Sequence, residues 1–320
     1  MTKILSRCFR FYRNVLLANV YKLNISITYR CNLRCKTCNI WKKPKIDLPL
    51  DCLKAIFRKF RNVSWISLTG GEPFLREDLV DIVRSALKEC PSLHTISIPT
   101  NGFLTEKILK DVKKILKLDI PSLYVSVSLD GLEEVHDSIR VVKGSFKRAV
   151  NTFRLLKKIE DRRFKVHFEY TISRFNQGML PQTVESLGRP EDFIISVAQN
   201  AFFYANEKKN VRPAKKLLHS DIKWFLSHHK GYSLHDFATR MFLRSILEEK
   251  RIPCVAGKNS FYIDAEGKIY PCIFVQQRVG TINDDNIKRF NYPGCYCYTP
   301  CESYFSLLID ATRNPIKLIK

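Results

Sequence analysis

Three cysteines, Cys31, Cys35 and Cys38, follow an apolar run that ends at Thr28, and their spacing is C-x3-C-x2-C. Spacing this short lets three sulfurs converge on one metal centre. No fourth ligand follows nearby. A structural zinc site closes itself with four ligands, and cluster sites usually carry four thiolates. Three thiolates on a four-iron cluster leave one iron open to bind another molecule.

A second group of cysteines lies far away in the chain. Between Ile252 and Glu302 stand Cys254, Cys272, Cys295, Cys297 and Cys301. Cys254 and Cys272 flank an alternating stretch, Phe261 to Tyr270, whose Asp264–Gly267 centre predicts a β-hairpin. A hairpin that presents two thiols, with more on a following loop, predicts a metal site built from distant segments. Four cysteines suit either tetrahedral zinc or an iron–sulfur cluster. Cys254, Cys272, Cys297 and Cys301 are the expected ligands, with Cys295 as spare or as replacement for Cys297. Cys8, Cys52 and Cys90 stand outside both groups and read as inert thiols.

The elements that must position these residues come next. Short β-branched runs predict strands at Leu23–Thr28, Trp65–Thr69, His94–Thr100, Leu123–Leu129, Val166–Ile172 and Phe193–Gln199. Helical patterns separate them near Leu50–Phe60, Asp78–Glu89, Leu104–Leu116, Ser145–Ile159 and Leu180–Leu187. Strands spaced by such helices imply parallel βαβ units, and six units curl into an α/β fold, a partial (β/α)6 TIM-like barrel. Chemistry in such barrels sits at the C-terminal strand ends. Those ends carry Gly70-Gly71-Glu72-Pro73, Thr100-Asn101, Ser126, Ser128 and Asp130, Glu169, Thr171 and Asn176, and Gln199-Asn200. Asn200 to Pro253 reads as connecting helices, with His228 and His229 on their surface.

Composition narrows the partners. The chain has 320 residues and a formal charge of +23, which favours anionic surfaces. No apolar run reaches the ~20 residues needed to span a bilayer, and the first residues lack a secretory leader's apolar centre. Clustered thiols suit a reducing cytoplasm. Residues 1–22 place Ile4, Cys8, Phe11, Tyr12, Val15 and Leu16 on one helix face and Lys3, Arg7, Arg10 and Arg13 on another. Such a helix either lies on an anionic membrane or packs on the domain. A stable nucleic-acid partner is not expected, because aromatic residues do not interleave with a basic stripe.

The Cys31–Cys38 loop and the Gly70-Gly71-Glu72-Pro73 segment together resemble the radical S-adenosylmethionine superfamily. Cys254, Gly267-x4-Cys272 and the later cysteines resemble its cluster-binding extension, SPASM or the shorter twitch. The resemblance divides the chain into residues 1–22 (basic helix), 23–200 (partial barrel), 201–251 (helical connection) and 252–320 (small iron–sulfur extension and tail). It implies a [4Fe–4S] cluster on Cys31, Cys35 and Cys38 with S-adenosylmethionine chelated at the open iron, and one auxiliary [4Fe–4S] cluster. It implies cofactor contacts from Gly70, Gly71, Glu72, Pro73, Asn101, Ser128 and Asp130, with Arg140 available to a carboxylate and Tyr29 packed beside the cluster. An electron donor such as ferredoxin or flavodoxin is implied too. The radical would abstract hydrogen from an unactivated C–H bond of a small metabolite or lipid, with peptide, protein and tRNA as alternatives. No catalytic side chain is legible.

Overall fold

A computed structural model describes residues 20–252, 254–290, 296–300, 302–304 and 306–307. The expected basic helix up to residue 19, Cys8, Cys295 and Cys301 lie outside the described residues.

Six strands alternate with helices as the sequence pattern requires. They are β1 (Lys22–Thr28), β2 (Trp65–Gly70), β3 (Thr95–Thr100), β4 (Ser122–Leu129), β5 (Phe164–Ile172) and β6 (Phe193–Val197). The helices among them are α1 (Leu50–Lys59), α2 (Leu79–Glu89), α3 (Thr105–Leu116), α4 (Glu133–Arg140), α5 (Ser145–Lys157) and α6 (Leu180–Leu187). Helices α7 (Lys215–His228) and α8 (Leu234–Leu247) follow, then β7 (Ser260–Ile263), β8 (Lys268–Tyr270) and β9 (Gly280–Thr281). The strand order is β6-β5-β4-β3-β2-β1-β7-β8-β9, parallel from β6 to β7 and antiparallel beyond. This is the partial barrel the pattern predicts.

Alternation along the strands separates core from lumen. In β4, Leu123, Val125, Val127 and Leu129 are buried and join one apolar cluster with Ile108, Val112, Ala149 and Phe153 of the covering helices. Each Leu, Val, Ile or Phe among them contributes about 1.5–3 kcal/mol by leaving water. The intervening Tyr124, Ser126 and Ser128 stand in register with Lys165, His167 and Glu169 of β5 and form the inner, polar face. No helix among the described residues is long and apolar enough to cross a membrane.

Two features depart from the sequence pattern. Helix α4 fills the stretch after Asp130-Gly131, where its short, polar sequence gives no clear periodicity; it ends at Val141, whose φ is 60°. The expected hairpin is also not separate from the barrel. Its first strand, β7, lies parallel to β1 with Leu23 opposite Phe261 and Ile25 opposite Ile263. All four residues of β7 are buried, so that edge closes on an apolar strand that local sequence cannot assign to a partner.

Candidate active site

The Cys31–Cys38 loop leaves β1 through a turn that its first residues enforce. Arg30 N donates to Thr28 Oγ1 at 3.0 Å, and Thr28 Oγ1 donates to Asp47 Oδ1 at 2.6 Å. The Gly70-Gly71 pair packs directly beneath this turn. Gly71 N donates to Thr28 O at 2.9 Å and Glu72 N to Arg30 O at 2.8 Å. A Cβ on Gly70 would sit 2.0 Å from Thr28 O, and one on Gly71 would sit 2.0 Å from Arg30 O. These glycines therefore let the second strand's end approach the cysteine loop itself.

Two further elements clamp the loop. Lys36 N donates to Ile139 O at 2.8 Å and Arg34 N to Arg140 O at 3.4 Å, both at the C-terminal end of α4. These bonds satisfy carbonyls that a helix end leaves open. On the other side, Asn39 N donates to Tyr204 O at 2.7 Å, and Asn206 Nδ2 donates to Thr37 O at 2.7 Å. Lys209 Nζ reaches Lys36 O at 2.7 Å. Nothing in the local sequence marks Asn206, which lies within a Lys-rich stretch; its role comes from the turn after β6.

The three thiols are near enough to feel one another's charge, while among the described residues no three His, Cys, Asp or Glu side chains are arranged to hold a single metal ion. Arg140 Nη1 donates to Cys35 Sγ at 3.8 Å, and Ile40 N donates to Cys38 Sγ at 3.4 Å. Burial pushes the Cys31 and Cys38 thiols up to about 12 and raises Cys35 as well. Thiolates here need a bound cation to offset that burial, as a metal centre provides. Arg140 Nε lies 2.5 Å from Asp130 Oδ2, so the carboxylate that Arg140 meets is Asp130. Asp130 is held in turn by Asn176 Nδ2, which donates to Asp130 O at 2.9 Å. Its N–H donates to His136 Nδ1 at 3.1 Å, and burial pushes His136 down to about 4. His136 is thus a neutral imidazole with its proton on Nε2.

The remaining expected residues divide into two sets. Glu72 is 1% exposed and accepts from Thr100 Oγ1 at 2.8 Å, Asn101 N at 2.7 Å and Phe74 N at 3.2 Å. Burial pushes its carboxyl up to about 7. Pro73 opens the short turn Pro73–Leu75. Asn101 donates from Nδ2 to Asn32 Oδ1 at 2.7 Å, inside the cysteine loop. Glu72 and Asn101 therefore tie β2, β3 and the loop together. Ser128 belongs to the lumen, beside Glu169 in register. Glu169 accepts from Ser126 Oγ at 2.8 Å and is raised by burial, while Thr171 and Ser196 share a bond of 2.8 Å. Tyr29 packs with Phe203 and Tyr262 in an apolar cluster that also touches Cys31 and Cys38.

Cys254, Cys272 and Cys297 line one cavity with Asn24, Ile273, Phe274, Thr299 and Glu302. Three of the four cysteines expected there are brought together, and the fourth, Cys301, lies outside the described residues. Phe274 N donates to Cys272 Sγ at 3.4 Å, and burial raises the Cys272 thiol. Cys272 and Cys297 are buried and Cys254 is half-buried. Among the described residues no three His, Cys, Asp or Glu side chains are arranged to hold a single metal ion, so thiols spread around one cavity suit a cluster better than a lone zinc. Cys90 is buried, with its Sγ donating to Phe57 O at 3.4 Å, and Cys52 is half-buried on α1. The expectation for the histidine pair is corrected at one position. His228 is exposed, but His229 is 5% exposed, stacked on Phe225 and 3.3 Å from Asp236 Oδ1.

This geometry coincides with a family. Residues 25–187, half of the chain, match the Radical SAM superfamily, and the protein belongs to it. It is an enzyme of that superfamily, whose members use a [4Fe–4S] cluster and S-adenosylmethionine. Among its relatives, the sporulation killing factor maturation protein SkfB of Bacillus subtilis is 25% identical over 87% of this chain and 66% of that protein. A GTP 3',8-cyclase of Haemophilus influenzae is 27% identical over 81% of this chain and 79% of the cyclase. The chain spans 35% of the length of the Pectobacterium atrosepticum GTP 3',8-cyclase, to which it is 37% identical over the shared part. In fold it is similar to anSMEcpe solved with AdoMet and the Kp18Cys peptide, with a TM-score of 0.62, 20% identity and coverage of 82% and 78%. Streptococcus suis SuiB bound to S-adenosylmethionine has a TM-score of 0.60, 16% identity and coverage of 84% and 64%.

Proposed function

We propose that this chain reductively cleaves S-adenosylmethionine and abstracts hydrogen from an unactivated C–H bond of a small, polar substrate held in the barrel lumen. The observation that carries the substrate class is the inner face of β4 to β6. There Ser126, Ser128, Glu169, Thr171 and Ser196 present hydroxyls and a carboxylate where an acyl chain would need apolar walls. When bound, the cluster and S-adenosylmethionine supply a 5′-deoxyadenosyl radical. Cys31, Cys35 and Cys38 would hold the cluster, and Arg140 offsets the negative charge gathered there. Ser128 and the Gly70-Gly71-Glu72-Pro73 and Asn101 backbone rim would bind the cofactor, while Asp130 orients Arg140. Cys254, Cys272 and Cys297 would hold an auxiliary cluster, with its fourth ligand from the segment that carries Cys301 and Glu302. Lys36, Lys42, Lys43 and Lys209 around the loop suit an acidic electron donor of the ferredoxin or flavodoxin kind.

A peptide substrate is the second reading. It is favoured by the match to SkfB along 87% of this chain and by the fold shared with anSMEcpe, solved with a peptide. The test is anaerobic reconstitution, reduction with dithionite and chromatography for 5′-deoxyadenosine. Deuterated pools of polar metabolites, of peptides and of lipids are then offered separately, and deuterium in 5′-deoxyadenosine identifies the class. Transfer from a deuterated lipid alone would overturn the polar-substrate reading. No cleavage by the reduced, iron-loaded protein would overturn the whole assignment.

A further inference from the structure

The cavity that gathers Cys254, Cys272 and Cys297 contains one group that the cysteine pattern does not account for. Glu302 lines the same cavity and is 4% exposed. Its two oxygens are treated very differently. Oε1 accepts from Asn24 Nδ2 at 2.5 Å and lies 3.7 Å from Lys22 Nζ. Oε2 is buried with no hydrogen-bond partner among the described residues. A buried carboxylate oxygen without a donor is costly, so it is expected to meet a cation or a proton. Lys22 stands on the Oε1 side, at the foot of β1, with its ammonium 5.5 Å from the Trp65 ring centroid. The other polar atoms of the cavity are three thiols, the Thr299 hydroxyl and the Asn24 amide.

We propose that Glu302 is an oxygen ligand of the C-terminal metal centre, donating through Oε2 beside the sulfurs of Cys254, Cys272 and Cys297. The inference rests on the reading of this cavity as an auxiliary iron–sulfur site. Asn24 and Lys22 hold Oε1 and thereby fix the carboxylate's rotamer, the arrangement by which outer groups orient a metal ligand. Both come from β1, whose neighbours across the sheet are Ser67 and Trp65 on one side and Tyr262 and Ser260 on the other. A carboxylate is a harder donor than a thiolate and suits iron less tightly, which makes the iron carrying Glu302 the most readily lost.

The test uses the full chain with Cys31, Cys35 and Cys38 all replaced by Ala, so that only the C-terminal centre takes up iron. After anaerobic reconstitution this parent should bind about four irons per chain. Glu302→Gln keeps an acceptor for Asn24 but removes the anionic donor. It should bind about three irons and show the electron paramagnetic resonance signal of an oxidised three-iron cluster. Glu302→Cys should restore the fourth iron with shifted g values. Glu302→Gln with full iron and an unchanged reduced spectrum would overturn the assignment, as would a three-iron signal produced by Cys301→Ala alone. Complete iron loss in Glu302→Gln that Glu302→Cys does not restore would assign the residue to packing and overturn it too. A parent without iron would instead overturn the cluster reading on which the proposal stands.

Discussion

The two thiol groups of this protein are built in opposite ways. Cys31, Cys35 and Cys38 come from one loop, pinned by a glycine pair, a helix end and the Tyr204–Asn206 turn. Cys254, Cys272 and Cys297 come from both sides of a hairpin and from the segment beyond it, and they meet beside β1. The first group depends on local geometry that the rest of the barrel refines. The second exists only after β7 has paired with β1. A contiguous site can therefore be read from spacing, whereas a scattered site also needs the topology.

Separating the two groups by mutation gives the largest expected effect. Replacing Cys31, Cys35 and Cys38 with Ala should abolish S-adenosylmethionine cleavage, measured as 5′-deoxyadenosine, while iron at the C-terminal group remains. Replacing Cys254 and Cys272 should remove that iron and leave the N-terminal cluster's absorbance. Loss of all iron in either variant would show that the groups fold as one unit and would break the comparison.

Arg140 sharpens it next. Its side chain is 13% exposed and that of Asp130 is 5%, so the pair lies out of water. Arg140→Met leaves the buried Asp130 carboxylate uncompensated and removes the donor to Cys35. Urea unfolding should record a loss of about 3–5 kcal/mol. Asp130→Asn with Arg140→Met should recover part of it, because the stranded charge is gone.

Glu72 makes a pH-dependent prediction of about 3 kcal/mol. Its folded-state value of about 7 lies above the ordinary 4.5, with burial as the main cause. The folded chain then binds a proton that the unfolded chain releases. Its stabilising contribution is full below about pH 4.5 and is lost as pH rises to about 7. Unfolding free energies of wild type and Glu72→Gln across that window should differ in slope, and parallel curves would refute it.

How much of this was legible follows from the same contrast. The six barrel strands appear within a few residues of their patterns, because each alternates a buried apolar set with a polar inner set, as in Leu123–Leu129. The cysteine loop and Gly70-Gly71 were legible because short spacing and a bare backbone each carry a physical meaning. Glu72, read as a candidate cofactor contact, makes its hydrogen bonds with Thr100, Asn101 and Phe74. Sequence could not separate those uses, since both call for a carboxylate at a strand end. Helix α4 was missed because Glu133–Arg140 buries only His136 and Ile139. The β1–β7 pairing was missed because Lys22 and Ser260 are too far apart in the chain for any local signal.

Asn206 is the finest test of the difference between the groups. It is 2% exposed, and Nδ2 donates to both Thr37 O and Gln199 O while Oδ1 accepts from Ala201 N at 2.8 Å. One amide thus joins the cysteine loop to the turn after β6, and it touches no thiol in the C-terminal group. Asn206→Ala would leave buried backbone groups without partners, at a cost of about 2 kcal/mol. The strain falls on Thr37, directly before Cys38. Iron should leave the N-terminal group of the loaded protein roughly tenfold faster in the presence of a chelator. Release from the C-terminal group should not change, because Cys272 Sγ accepts from Phe274 N and Cys297 Sγ donates to Thr299 O, contacts that do not involve Asn206. Equal acceleration at both groups would mean that the turn supports the whole barrel edge, and the loop would lose its standing as a locally clamped unit.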